Sequence, residues 1–168
     1  MLKRIILAIA VIFPMSIFAQ KFGVVNLDEV FKAMPETAQM TASLDEASKK
    51  YGTEFEQLQQ EFQKLYAEFQ TLSQDPTTPE SIKQRRISDI QERQQKIEQF
   101  RATAQQDLER LQQQLAEPIN RKMLEAVQAV GQEGGFTFVL PKDQTLLLYQ
   151  GSTVIDVTND VKAKLGLN

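Results

Sequence analysis

Residues 55–72 read FEQLQQEFQKLYAEFQTL, and this stretch decides the fold. Its large apolar side chains recur at alternating spacings of three and four residues, at Phe55, Leu58, Phe62, Leu65, Phe69 and Leu72. Such a repeat keeps one apolar stripe on one face of a supercoiled helix, so the helix needs a helical partner. We therefore predict a coiled-coil helix through this stretch.

The partner helix follows along the chain. A second seam with the same repeat contains Ile87, Ile90, Ile97, Ala104, Leu108, Leu111 and Leu115. Between the seams, residues 73–80 read SQDPTTPE, which is typical of a turn. Because a short turn makes neighbouring helices antiparallel, we predict a helical hairpin. Its first arm spans residues 36–73 and its second arm residues 79–117, with the tip near 73–80.

Prolines and polar residues mark the limits of the second arm. We expect Thr78 to cap this helix, with Pro79 at its first position. Pro118 is expected to kink or interrupt the helix, because proline lacks the N–H of a helical hydrogen bond. Gln94 and Arg101 place polar side chains at seam positions, which predicts weaker packing in the distal half of the hairpin.

Short strands flank the hairpin. Residues 21–26, 136–140 and 145–149 have strand patterns, and brief helices are predicted at 27–32 and 159–165. The fold class is therefore α+β, with residues 20–35 and 118–168 forming a small β-sheet body from which the 36–117 hairpin projects. A sheet of this size is too small to stand alone, so we expect the body to associate with other copies.

Residues 1–19 have the pattern of a secretory signal peptide. Lys3 and Arg4 precede an apolar run from Ile5 to Phe13, and Ala19 offers a small residue for cleavage. We predict cleavage after Ala19 and export. An uncleaved membrane anchor is the alternative, although the run is short for a bilayer-spanning helix.

The composition argues against several functional classes. The chain contains no cysteine and no histidine, so it has no thiolate site and lacks the commonest general base and metal ligand. No glycine-rich phosphate-binding motif is present. We therefore predict neither an enzyme nor a cofactor or metal site. The formal net charge is −3 and the pI is near 5.1, which argues against nucleic-acid binding.

The two ends of the chain carry a family resemblance. The residues concerned are FGVVNLDEVF at 22–31, the helix at 119–130, GGFTFVL at 134–140 and VIDVT at 154–158. With these segments and a hairpin between them, the chain resembles the Skp/OmpH family of periplasmic chaperones. The resemblance covers essentially the whole chain after the signal peptide, and the order of the elements is its strongest part.

The resemblance implies a fold and a function. It implies a homotrimer in which strands of three subunits build a β-barrel and three hairpins surround a cavity. It also implies ATP-independent holding of unfolded outer-membrane proteins in the periplasm, with peripheral contact to membrane lipids. The best-known members are markedly basic, whereas this chain is acidic. Any attraction of lipids or acidic clients is therefore expected at Lys83, Arg85 and Arg86.

Other residues are candidates for contact with clients or with further copies of the chain. Tyr66 and Phe100 lie beside the seams, where a hairpin core does not require an aromatic residue, so they are candidate client contacts. Packing within the hairpin is the alternative. Candidates for the oligomeric body are Val24, Val25, Phe138 and Leu140. A structural coiled-coil spacer or adaptor of the cell envelope is the alternative function.

Overall fold

The computed structural model describes residues 20–143 and 147–167. The predicted signal peptide lies outside the described residues, as do Thr145 and Leu146 of the predicted strand at 145–149. Within the described ranges, none of the helices combines the length and the apolar character needed to cross a membrane.

Helices dominate the structure, and the strands lie close to the two ends of the chain. In chain order the elements are β1 (Lys21–Val25), α1 (Leu27–Ala33), α2 (Pro35–Gln74), α3 (Glu80–Glu133), β2 (Phe136–Pro141), β3 (Ile155–Asp156) and α4 (Thr158–Lys164). Helices α2 and α3 have 40 and 54 residues, so they are about 60 and 80 Å long. The structure thus contains the predicted long helices and a small three-stranded sheet.

The side chain of Asn26 fixes the start of α1. Its Oδ1 accepts a hydrogen bond from the backbone N–H of Glu29 at 3.1 Å, which satisfies one of the free donors at a helix start. The helix ends at Ala33 because Met34 precedes Pro35 and adopts an extended conformation with ψ of 130°. Met34 is buried, so the break between α1 and α2 is anchored in the core.

Pro118 does not interrupt the second arm. Helix α3 continues through it to Glu133, so one helix belongs to both the arm and the body. Because proline has no N–H, the carbonyl of Gln114 has no helical hydrogen-bond donor. Pro118 and Gln114 are both exposed, so water can bond to this carbonyl instead. Burial of Ile119 and Met123 directly after the proline holds the next turns in helical form. The expectation of an interruption was therefore wrong.

The hairpin tip differs from the prediction by one residue. Pro79 occupies the N-cap position and α3 begins at Glu80, so Thr78 is not the cap. The turn is instead closed by Asp75, whose Oδ1 accepts hydrogen bonds from the N–H and the hydroxyl of Thr77 at 2.8 and 2.6 Å. The pKa of the Asp75 carboxyl is lowered, chiefly by these hydrogen bonds.

The sheet has the order β2-β1-β3, and both outer strands run parallel to β1. Val24 of β1 lies opposite Leu140 of β2 and Asp156 of β3. The predicted third strand was wrong where it can be compared, because Leu147, Leu148 and Tyr149 are not in a strand. Ile155 and Asp156 take that place, and the next residue, Val157, donates its N–H to the carbonyl of Val24 at 2.9 Å.

The core lies between one face of the sheet and the helices. Its buried side chains are Val25, Val30, Met34, Ile119, Met123, Ala126, Val130, Val157 and Val161. Met40 packs against this cluster from α2. After α3, Gly135 adopts a φ of +64°, a left-handed conformation that favours glycine and turns the chain into β2. The core is therefore small, with helices α2 and α3 extending beyond it.

Candidate functional site

Cross-arm contacts set the register of the hairpin. Near the body, the Lys122 ammonium pairs with the Glu36 carboxylate. Further out, the cross-arm pairs are Arg93 Nη1 to Glu61 Oε2 at 2.7 Å and Arg86 Nη2 to Glu68 Oε2 at 3.5 Å. Each joins α2 to α3, so slipping one helix by a turn would break them all. Because these groups are partly exposed, each pair adds little to stability.

A polar group lies inside the apolar seam between these ion pairs. The Tyr51 hydroxyl donates a hydrogen bond to Asp107 Oδ2 at 2.9 Å, and Arg110 pairs with the other oxygen of the same carboxylate. The hydrogen bond to Asp107 and partial burial raise the pKa of Tyr51. The Tyr51 ring also meets Phe100 edge-on, with centroids 6.0 Å apart. A single polar contact in a seam specifies register, since alternative registers leave it unpaired.

Removing the Tyr51 hydroxyl is expected to weaken the hairpin. Tyr51→Phe keeps the ring against Phe100 but leaves Asp107 without its tyrosine donor, so the free energy of unfolding should fall by about 0.5–1.5 kcal/mol. Urea unfolding followed by helical circular dichroism measures this. Tyr66→Phe is the matched control, because the Tyr66 hydroxyl has no hydrogen-bond partner among the described residues. Equal loss in both variants would contradict a specific role of the Tyr51–Asp107 contact.

The two aromatic candidates for client contact lie in different settings. Tyr66 is exposed on α2, where its ring stacks on Phe62 with centroids 6.3 Å apart. Phe100 is half-buried and packs against Tyr51, so it lies in the seam, not beside it. Arg101, expected in the seam, is exposed. The structure does not bring Tyr66 and Phe100 together into one surface, and their contact with clients stays a prediction.

The three basic candidates follow one another on α3 close to the tip. Arg86 is half-buried and already pairs with Glu68 and Asp89, at 3.5 and 3.6 Å. Lys83 contributes to the lowered pKa of the Asp75 carboxyl. Arg85 is exposed. The positive charge of this segment is thus partly neutralised within the hairpin itself.

The four candidates for the oligomeric body separate into two groups. Val25 lies in the core of the chain itself, and Val24, on the opposite face of the sheet, is only 1% exposed. Phe138 and Leu140 are 47% and 42% exposed on the same face as Val24. We call Phe22, Val24, Phe138 and Leu140 the outer sheet face; the Phe22 and Phe138 rings lie 4.7 Å apart.

An ion pair borders the outer sheet face. Lys142 Nζ lies 2.8 Å from Asp156 Oδ2, and since β1 lies between β2 and β3 this pair crosses over β1 beside Val24. The hydrogen bonds from Lys142 and then from the Thr158 hydroxyl lower the pKa of Asp156 to about 2. Val24 is thus buried within the single chain, whereas Phe138 and Leu140 remain uncovered. The sequence pattern assigns all four residues to strands, but a strand pattern does not distinguish the covered residues from the uncovered ones.

The described residues show no arrangement typical of a metal centre. Within residues 20–143 and 147–167, no three acidic side chains converge to hold a metal ion. What the structure offers are long arms with partly exposed apolar seams and an uncovered sheet face. Such surfaces bind other macromolecules by burying apolar area.

Comparison with known proteins identifies the family. The family model described as outer membrane protein (OmpH-like) matches residues 21–165, which include the sheet, both arms and the last helix. No curated protein sequence matches the chain. Since the match covers nearly all of the described residues, the chain belongs to the OmpH-like family.

Proposed function

We propose that this protein is an ATP-independent periplasmic holdase, which binds unfolded outer-membrane β-barrel proteins and prevents their aggregation before membrane insertion. The observation that carries the proposal is the OmpH-like match over residues 21–165, because at family level it supports a periplasmic chaperone of outer-membrane proteins. Cleavage of the signal peptide after Ala19 would deliver the chain to that compartment.

The surface of the arms suits weak and plural binding. Sixteen glutamines lie between Gln57 and Gln114, and they keep helix propensity without adding charge. Most seam side chains are only half-buried, so the hairpin offers partly exposed apolar edges. Strands of outer-membrane barrels alternate apolar and polar residues, so a binding surface of mixed character fits them. A holdase must also release its client without fuel, which favours many weak contacts.

We further propose that the chain works as a homotrimer. The body, taken as residues 20–35 and 118–168, has a small core and an uncovered outer sheet face at Phe138 and Leu140. Leu148 and Tyr149 are also almost fully exposed. Burying these groups between copies would supply the apolar area that one subunit lacks. Barrel closure by three subunits would place three hairpins, residues 36–117, around one cavity.

A peripheral contact with lipids is a smaller part of the proposal. Arg85 is exposed near the tip, with Lys83 and Arg86 beside it. Anionic headgroups would have to compete with Glu68 and Asp89 for Arg86, since these carboxylates already pair with it. We therefore expect lipid binding to be weak and sensitive to salt.

The experiment that tests the holdase function measures light scattering. A urea-unfolded outer-membrane barrel protein is diluted into buffer without ATP, with and without the mature chain. We expect suppression of scattering that saturates at about three chains per client, as a trimer around one client requires. Unchanged scattering in the presence of folded, helical protein would contradict the proposal. It would favour the alternative, a coiled-coil spacer of the cell envelope.

A further inference from the structure

An open groove lies between the two arms at the level of Tyr51. Its cavity volume is about 580 Å³. The floor is apolar and comes from both helices, with Leu44, Tyr51 and Phe55 on α2 and Phe100, Ala104 and Leu108 on α3. None of these residues belongs to the core of the body. The groove is thus a separate concave surface within the arms.

Small residues keep the groove open. Gly52 of α2 and Ala104 of α3 both line it, and a Cβ built on Gly52 meets no atom within 4 Å. Glycine inside a helix is less favourable than alanine, so Gly52 does not serve the stability of α2. Its conformation is an ordinary helical one, without positive φ. The physical consequence of glycine at this position is the space that a side chain would otherwise fill.

The dimensions of the groove fit an extended peptide. From Leu44 to Phe55 the groove follows twelve residues of α2, and the eleven helical rises between these two residues span about 17 Å. An extended chain rises about 3.3 Å per residue, so about five residues span this length. Successive side chains of such a segment point to opposite sides. Alternate apolar side chains would therefore face the floor while the polar ones between them stay in water.

The rim adds a charge preference. Asp45 is exposed at the body end of the groove and has no ion-pair or hydrogen-bond partner among the described residues. Glu109 lies on the rim too, where it accepts a hydrogen bond from Gln105 at 3.0 Å. The one basic rim residue is Arg101, and it lies towards the tip. The body end of the groove is therefore complementary to a cation.

We propose that this groove binds an extended segment of an unfolded polypeptide, with large apolar side chains at alternate positions and a lysine or arginine at the end that lies near Asp45. The proposal rests on the holdase function and gives it a binding site. The pattern is one that strands of unfolded outer-membrane barrels carry, since their residues alternate between lipid-facing and lumen-facing positions.

Filling the groove from within tests the proposal. A side chain at residue 52 leans towards the preceding turn, so Gly52→Phe would place its ring over the middle of the floor. The probe is a short fluorescent peptide in which phenylalanine and leucine alternate with threonine, followed by two lysines. By anisotropy, Gly52→Phe should weaken binding at least about tenfold, the cost of excluding one large apolar side chain. Circular dichroism checks that the variant remains helical.

The matched control is Gly52→Ala. It raises helix propensity, as the larger side chain also does, but adds only a methyl group, so binding should change less than about twofold. Equal weakening in both variants would show that flexibility of α2 at Gly52, and not the groove, governs binding. Unchanged binding by Gly52→Phe would overturn the proposal outright. Sedimentation gives a further check on Gly52→Phe. If this substitution changes the oligomeric state, a second copy of the chain occupies the groove in the wild type, and the proposal is also overturned.

The charge preference has its own test. Asp45 is exposed, so the Asp45→Lys variant should still fold. This variant should bind the lysine-ended peptide more weakly than the wild type does. A peptide that ends in glutamates should instead bind better to the variant than to the wild type. Equal binding of both peptides to both proteins would contradict the assigned orientation, even if Gly52→Phe failed to fold. If the wild-type chain suppresses aggregation but does not bind the peptide, only the groove proposal is contradicted. If the wild-type chain does not suppress aggregation, the proposed holdase function itself is contradicted.

Discussion

Val24→Asp is expected to unfold the body, whereas Phe138→Asp should leave each subunit folded and separate the subunits. Both positions lie on the outer sheet face, but Val24 is 1% exposed within one subunit and Phe138 is 47% exposed. A carboxylate at residue 24 would be buried beside the carboxylate of Asp156. Lys142 is already paired with Asp156, so the new carboxylate would have no cation of its own. An unpaired buried charge costs several kcal/mol, which is comparable with the total stability of a small domain.

The effect of Phe138→Asp depends on assembly. In an isolated subunit the new carboxylate would stay hydrated, so helical circular dichroism should hardly change. Between subunits it would lose that hydration, and we expect the sedimentation coefficient to fall to that of one chain at micromolar concentrations. Leu124→Asp is the matched control, because Leu124 is 50% exposed on α3 and lies outside the sheet. Assembly that survives Phe138→Asp, or is lost equally with Leu124→Asp, would contradict an interface at the outer sheet face.

The hairpin could be predicted because both of its signals are local. The apolar repeat of residues 55–72 and the proline-containing turn at 73–80 fix two antiparallel helices without any distant information. The residue that occupies the seam of α3 between Ile97 and Ala104 was harder to predict. Residues 100 and 101 both lie at a spacing of three or four residues from these two neighbours, so both fit the heptad repeat. Phe100 takes the seam position because its ring packs against Tyr51, while Arg101 remains in water.

The third strand shows where a local pattern fails. The apolar run at 145–149 has a stronger strand pattern than Ile155 and Asp156 do. A pattern does not reveal which of two successive segments reaches β1, however. Here Val157 is fully buried and bonds to Val24, and Asp156 accepts hydrogen bonds from Thr158 at the start of α4. Tertiary contacts on both sides of the short strand therefore select it.

The candidate sites were only partly accessible to sequence reasoning. Val24 is buried and Phe138 is exposed in the structure. Both are apolar residues in strands with similar sequence patterns, so the sequence does not distinguish them. The Tyr51–Asp107 contact and the groove at Gly52 depend on the register between the arms. That register follows from the turn geometry and the cross-arm pairs. A glycine within a predicted helix was a usable signal for the groove, but its significance depends on which residue of α3 lies opposite.

Shortening both arms by two heptads is expected to abolish most of the holding activity while the body stays assembled. Removing residues 58–71 and 84–97 deletes matched segments of α2 and α3, so Leu72 takes the seam position of Leu58 and the tip is retained. Each arm becomes about 21 Å shorter. Two cross-arm pairs are lost, Glu61–Arg93 and Glu68–Arg86, but the Tyr51–Asp107 contact and all buried residues of the core remain.

The size of the loss follows from plural binding. If each turn of an arm contributes weak contacts of about 1 kcal/mol, removing several lowers the affinity by at least about tenfold, since 1.4 kcal/mol is a factor of ten. Far more protein would then be needed to suppress light scattering of the diluted client. Sedimentation and circular dichroism must show an assembled, helical variant for the comparison to count. Full suppression at the wild-type ratio of chains to client would show that the distal arms do not hold the client, and would leave the body and the proximal groove as the binding surface.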